Sequence, residues 1–297
     1  MSKDRVLSYR MKGTLCLIAS AFGFAMMGMF VRLTDDLGEP VSCFQKGFFR
    51  NLAALAIAAA LFLPRGHGSQ ASGQASPWHS SFCLLLLRSV LGTAGIFLNF
   101  YAISRIPLAD AMMLNKLAPF FTVAFSWIFL GERLRIGQAA CLCGALLGAA
   151  CVVKPGFAFA AVFPALCGLA GGVCAGGAYA CVHALGRRRI DPRLIVLFFS
   201  VFSCLASVPF MVMDFTPMTS AQTFALIGAG AAAAMGQFGV TAAYRFAEPR
   251  TIAAWGYTNI LFAAAFGFML FGQIPDGWSV LGFFAIVASA LILRTVR

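Results

Sequence analysis

The sequence predicts an all-α polytopic membrane protein, with ten transmembrane helices arranged as two inverted five-helix repeats. Three observations carry this expectation. Hydrophobic residues make up 61% of the 297 residues and charged residues only 11%, whereas an ordinary soluble domain is about 25% charged. No soluble fold of this size has enough interior to hide so many Phe, Leu and Ala. The chain also divides into ten apolar stretches of spanning length, each near the roughly 20 residues that a bilayer core requires. Finally, a motif near residue 125 returns about 141 residues later.

The spans follow in order. The first, 12–32, comes after Lys3, Arg5, Arg10 and Lys12. Its apolar run, Gly13 to Val31, is too long for a cleaved signal segment and lacks a small-residue cleavage site, so it reads as an uncleaved helix. The second, 42–63, contains "FQKGFFRNLAALAIAAALFLP", in which Lys46 and Arg50 stand one turn apart. A Gly/Ser/Gln-rich connection, "RGHGSQASGQASPW", then leads to the third span at 80–102 and the fourth at 107–130. The fifth is 136–153 and contains Gly144 and Gly148. The sixth, 162–185, carries a doubled GxxxG in Gly168, Gly172 and Gly176, a pattern that lets helices cross closely. The remaining spans are 193–213, a nearly all-Ala/Gly stretch at 219–244, then 250–271 and 277–294.

Basic residues set the expected orientation. With the N-terminus inside, 15 Lys and Arg lie in inner segments and 3 (Arg32, Arg105, Lys154) in outer ones. Acids run the other way, with Asp35, Asp36, Glu39, Asp214 and Asp276 outside. Both termini are therefore expected in the cytoplasm. Most of the net charge of +12 is topology signal, so the basic balance implies no nucleic-acid partner.

"FSWIFLGERL" at 125–134 matches "FGFMLFGQIP" at 266–275, and each closes a long helix that follows a short charged turn. Five helices per copy reverse the membrane orientation of the second copy. The expected division is 1–156 and 157–297. Inverted repeats are characteristic of secondary transporters, with the substrate site near the midplane between the halves.

Four basic residues remain inside the spans: Lys46 and Arg50 on the second, Arg88 on the third and Lys116 on the fourth. Arg50, Arg88 and Lys116 fall near the midplane, with Lys46 about 6 Å further out at 1.5 Å per residue. Each charge costs about 2.5–3.5 kcal/mol at a helix centre on insertion scales. The spans offer almost no acid to pair with them, Asp110 being the one candidate. Snorkelling would serve Lys46 and Arg88, but Lys116 is too deep. The alternative is a water-filled cavity whose missing counter-charge belongs to an anionic substrate, held by bidentate Arg and by Lys as a point charge. Asn51, Asn99, Tyr101 and Asn115 are the polar neighbours in the first half. Gln237, Trp255, Tyr257 and Asn259 are those in the second, with Tyr257 near the repeat equivalent of Lys116. The plainer reading of Asn99, Gln237 and Trp255 is an interhelical hydrogen bond or an interfacial ring.

Catalytic chemistry finds no support. There is no phosphate-cradling P-loop, no Cys/His cluster spaced for a metal and no Ser/His/Asp set at one depth. The ten cysteines lie in apolar segments as packing residues. No catalytic residue, metal or cofactor is expected.

"FFRNLAALAIAAALF", "LRSVLGTAGIFLNFYAI", "PLADAMMLNKLAPFFTVAFSWIFLGERL" and the Gly-rich helix ending "VVKPGF" resemble the first EamA domain of the drug/metabolite transporter superfamily. A second, more divergent EamA-like copy follows. Segment 85–156 is similar to the G branch of solute carrier family 35, through "RSVLG", "YAI", "LADA", "APFFT" and "VVKPGF". The resemblance implies ten helices, inverted repeats and alternating access without ATP. Many relatives carry Arg at positions 50 and 88, so these two residues say less about this substrate than Lys46 and Lys116 do. The second copy departs most, with Gln273 where the first has Glu132.

The expected protein is a secondary transporter, exchanger or exporter, of a small anionic metabolite such as a di- or tricarboxylate or a phosphorylated compound. It is expected in the lipid bilayer of a bacterial inner membrane, as a monomer or a dimer. Export of amino acids or other zwitterions is the first alternative, short of a membrane acid for the ammonium. A lipid-headgroup-handling protein or scramblase is the second.

Overall fold

The computed structural model describes residues 3–62, 78–131, 135–153, 159–188, 190, 192–246 and 253–295, and every regular element among them is helical. In chain order these are α1 (Lys3–Asp36), α2 (Cys43–Phe62), α3 (Trp78–Ile103), α4 (Leu108–Asn115), α5 (Ala118–Leu130), α6 (Ile136–Val153), α7 (Phe159–Arg187), α8 (Pro192–Met213) and α9 (Ser220–Phe246). A 3-10 turn (Ala253–Tyr257) then leads into α10 (Thr258–Phe271), and α11 (Gly277–Thr295) closes the described chain. Because α4 and α5 form one bent rod, the helices make ten rods. Among the described residues, seven stretches, Leu108–Phe129 among them, are long and apolar enough to cross a membrane, and Trp255–Phe271 and Gly277–Leu293 are shorter apolar helices. Large apolar side chains such as Phe129, Leu147, Phe224 and Met269 face outward, as an integral membrane protein requires. The connection at 65–78, apart from Trp78, lies outside the described residues, as does Glu132.

Most rods coincide with the expected spans, and three differ. The first was expected to end near residue 32, but α1 continues to Asp36 and carries Asp35 on its last turn. The fourth was expected to be continuous, but it breaks at Lys116–Leu117. Pro119 causes the break. It has no N–H to bond the carbonyl of Asn115, and its ring crowds that carbonyl. The chain turns through Lys116, at φ −71 and ψ 0, with Lys116 N–H shared between the Met112 and Met113 carbonyls. The ninth rod is irregular at the corresponding place, where the 3-10 turn gives way to α10 at Tyr257. Gly131 and Gly272, 141 residues apart, close α5 and α10 in the left-handed conformation at φ 68 and 61, which glycine adopts without steric cost.

Packing joins the two halves. The closest pairs are α1 with α9, α3 with α7, α6 with α11 and α2 with α8, while α4 meets α10. Small residues allow this approach. A Cβ at Gly23 would lie 2.8 Å from the Gly236 nitrogen, and one at Gly148 would lie 2.9 Å from the Gly282 carbonyl oxygen. One end of the bundle gathers the α1–α2, α3–α4, α8–α9 and α10–α11 connections. There Gln222 donates to the Thr34 carbonyl at 2.9 Å, Gln45 to the Thr216 carbonyl at 3.0 Å and Arg32 to the Ile103 carbonyl at 2.8 Å. Gln273 accepts from the Leu108 N–H at 2.9 Å, tying α10 to the start of α4.

Candidate functional site

The α4–α5 break rests directly on the glycine face of α7. A Cβ at Gly172 would lie 2.7 Å from the Leu114 carbonyl oxygen, and one at Gly176 would lie 2.9 Å from that of Ala118. Thr122 donates to the Ala118 and Gly176 carbonyls at 2.9 and 3.2 Å. The doubled GxxxG is therefore a packing surface, and what it packs is the turn that carries Asn115 and Lys116. Both residues are half-buried. Among the described residues, no carboxylate forms an ion pair with Lys116.

Arg50 and Arg88 form a second cationic group. Arg50 is buried, and its Nη1 donates to Asn51 Oδ1 at 2.9 Å. Asn51 in turn donates to Ser203 Oγ on α8 at 2.6 Å. The Arg88 guanidinium stacks on Phe199 with its carbon 3.7 Å from the ring centroid. Gly92, one turn on, provides its space, because a Cβ there would meet Arg88 Nη1 at 2.7 Å. Arg88 Nε and Nη1 are buried without a hydrogen-bond partner among the described residues, as is Arg50 Nε. The two guanidinium groups repel each other, and Tyr179 of α7 lies within electrostatic reach of both. Buried donors left unmade cost about 1–3 kcal/mol each, more when charged. Carboxylate or phosphate oxygens would satisfy them. Asn99, buried on α3 where Gly171 abuts its backbone, also leaves its Oδ1 unpartnered among the described residues. The interhelical hydrogen bond that would explain it as a packing residue does not form at that atom.

Lys46 needs a correction. The sequence offered Asp110 as the one candidate acid within the spans, yet Lys46 Nζ donates to both oxygens of Asp35, at 2.6 and 2.7 Å, and to Ser104 Oγ at 2.7 Å. The extra helical turn of α1 is the reason, since it carries Asp35 down to the first turn of α2. Asp35 and Ser104 border a cavity of about 580 Å³ that Cys43, Tyr101, Arg105 and Asp214 also line. Tyr101 thus belongs to this end cavity, with Phe163 edge-on to its ring and the Arg105 guanidinium over it at 3.8 Å. Asp110 is buried in the first turn of α4, where a helix N-terminus favours a carboxylate.

The second-half residues spread out. Asn259 is buried and donates to the Ala21 carbonyl at 2.9 Å, so its amide pins α10 to α1. Tyr257 is half-buried against the main core, while Trp255 and Gln237 are exposed. The Trp255 carbonyl accepts from Thr258 Oγ1 at 2.6 Å. Sequence reasoning missed Asp35, Ser104, Tyr179 and Phe199 as neighbours of the cations. Pro119 was the one legible sign of the helix break. Arg50, Arg88 and Lys116 supply donors and positive charge, an arrangement that suits binding.

Comparisons with known proteins agree with this character. Residues 11–154 match the model of the EamA-like transporter family. The chain is 30% identical to the pseudopaline exporter CntI of Pseudomonas aeruginosa, across 98% of this chain and 99% of that one. It is 24% identical to human solute carrier family 35 member G1, across 93% of this chain and 77% of the relative. One crystal structure of a protein superposes with a TM-score of 0.57 at 20% identity, covering 93% of this chain and 96% of that chain, which is a likeness of fold. The chain belongs to the EamA-like transporter family, within the drug/metabolite transporters.

Proposed function

We propose that the protein is a secondary transporter, exporting or exchanging a small organic anion such as a di- or tricarboxylate or a phosphorylated metabolite. It works by alternating access between two inverted five-helix repeats. The carrying observation is the group of buried guanidinium nitrogens on Arg50 and Arg88 with no hydrogen-bond partner among the described residues. The half-buried Lys116 at the α4–α5 break adds a third cation. The inverted repeat is supported by the packing pattern. Exchanging the halves turns the α1–α9 pair into the α7–α3 pair and maps α2–α8, α6–α11 and the α4–α10 contact onto themselves. The 141-residue offset of the two left-handed glycine caps fits the same symmetry.

The broken fourth rod and the irregular start of the ninth have non-helical backbone at corresponding positions of the chain. Transporters tolerate this where it lines a cavity. We place the protein in a bacterial inner membrane with both termini cytoplasmic, on the basic-residue asymmetry. A relative of nearly equal length is an exporter, which favours outward movement. The inside-negative potential, about 2.3 kcal/mol per charge per 100 mV, drives an anion the same way.

The cavity at the Asp35 end favours a second reading. Asp35 and Asp214 supply the carboxylates that a zwitterion's ammonium requires. The two readings separate in a thermal-shift screen of the purified protein against metabolite anions and amino acids. A ligand that binds only the folded state raises its melting temperature. Stabilisation by dianions and not by amino acids supports the first reading. Stabilisation by amino acids alone replaces it with the second.

A further inference from the structure

We infer that Lys46 is a second anion-binding station at the Asp35 end of the pathway, where a substrate carboxylate or phosphate takes the place of the Asp35 carboxylate. The inference rests on the anion reading above and adds a site to it. An ammonium has three donors, and Lys46 has three acceptors: both Asp35 oxygens and Ser104 Oγ. The ammonium is therefore saturated, with Asp35 in the position an incoming anion would fill. Lys46 is fully buried while Asp35 remains 14% exposed, so the cavity opens onto the carboxylate side of the pair. Asp35 sits on the last turn of α1, next to the loop that leads to α2. It is therefore the partner with room to swing away.

Local charge favours a visiting anion. Arg32 lies within electrostatic reach of Lys46, and both Lys46 and Arg105 lie within reach of Cys43 on the cavity wall. Three cations from α1, α2 and the turn after α3 thus stand against two acids, Asp35 and Asp214, and of these groups Arg105 and both acids line the cavity. Stability gives the pair little reason to exist, because a buried ion pair is often no better than well-packed apolar side chains. Exchanging one carboxylate for another keeps the Lys46 ammonium paired throughout, so neither step leaves a bare buried charge. The same exchange would couple occupancy to motion, since releasing Asp35 unties the end of α1 from Lys46 of α2.

Cys43 provides a local readout because it lines the same cavity. Full-length purified protein is treated with a maleimide, and alkylation of Cys43 is followed by mass spectrometry with increasing citrate, phosphoenolpyruvate or inorganic phosphate. Melting temperature is read in parallel. The expected result is that at least one of these anions slows Cys43 alkylation in the wild type. Asp35→Asn, which removes the competing charge, should give the same protection at about tenfold lower anion, and Lys46→Gln should require at least about tenfold more. If Lys46→Gln fails to fold, Asp35→Asn with Lys46→Gln leaves no orphan charge and should show the same loss. If Asp35→Asn loses protection as Lys46→Gln does, the pair is structural and the inference is overturned. If anions raise the melting temperature, Arg88→Gln abolishes that rise and Cys43 alkylation never responds, the central site stands and the second station falls. An absence of both responses with every anion overturns the anion reading together with the station.

Discussion

Lys116 is the third cation of the anion reading, beside Arg50 and Arg88. It sits at the break of the fourth rod, and no carboxylate among the described residues pairs with it. Lys116→Ala should weaken anion binding by about 2–5 kcal/mol, the range for removing one member of a buried charge pair, while Lys116→Arg should retain part of it. Isothermal titration with an anion that stabilises the wild type, alongside a neutral analogue, checks this. Equal losses for both ligands would assign Lys116 a structural role. Asn259→Ala should lower stability by about 1 kcal/mol, a typical interhelical hydrogen bond within a membrane, and leave anion affinity unchanged, because its amide is engaged by the Ala21 carbonyl. A melting-curve comparison with and without anion separates the two effects. The cations were legible in the sequence because charge inside an apolar span stands out at once. Their partners were not. Asp35 lies 11 residues from Lys46 and beyond the expected end of the first span, and only the extra turn of α1 brings it into contact. The use of Asn259 on Ala21, 238 residues away, leaves no local mark at all.

At the scale of elements, α7 holds the break in place. A Cβ added at Gly172 would lie 2.7 Å from a backbone carbonyl oxygen on Leu114, which cannot rotate away as a flexible side chain would. Gly172→Ala should therefore cost about 1–3 kcal/mol, as overpacking does, and weaken anion binding by moving the turn that carries Lys116. Gly186→Ala on the same helix has nothing within 4 Å to meet and should leave both properties near wild type. Unfolding in denaturant and anion titration of the two variants check the contrast, and equal destabilisation would contradict this packing. The doubled GxxxG was readable as a crossing surface, but the sequence does not say which backbone it crosses. Span positions were readable because lipid imposes a strict length on each apolar run. The break at Lys116 turned on a single proline, and the turn before α10 has no proline in the described residues Ala253–Tyr257 to announce it.

For the whole molecule, the proposed orientation rests on the 15-to-3 division of basic residues. Cysteines introduced singly at Asp36 and Asp276 should gain labelling over background from outside intact cells, and one at Arg188 only after permeabilisation. Labelling at 188 in intact cells would reverse the proposed orientation. The proposed repeat rests on one ten-residue match, and the ten-rod architecture was legible from apolar length. The packing of α1 on α9 and α3 on α7 was not, because Ala- and Gly-rich faces resemble one another and fit many partners. The central claim is that this architecture moves an organic anion through a cationic pathway. Counterflow in proteoliposomes tests it most directly. Vesicles are preloaded with unlabelled di- or tricarboxylates or phosphorylated metabolites and then given the same labelled compound, with and without a proton ionophore. The account predicts that at least one such anion accumulates transiently, that accumulation requires preloading and survives the ionophore, and that Lys116→Ala and Arg88→Gln abolish it. Failure of every anion while amino acids or phospholipids are moved, or unchanged anion counterflow in both variants, would contradict the account.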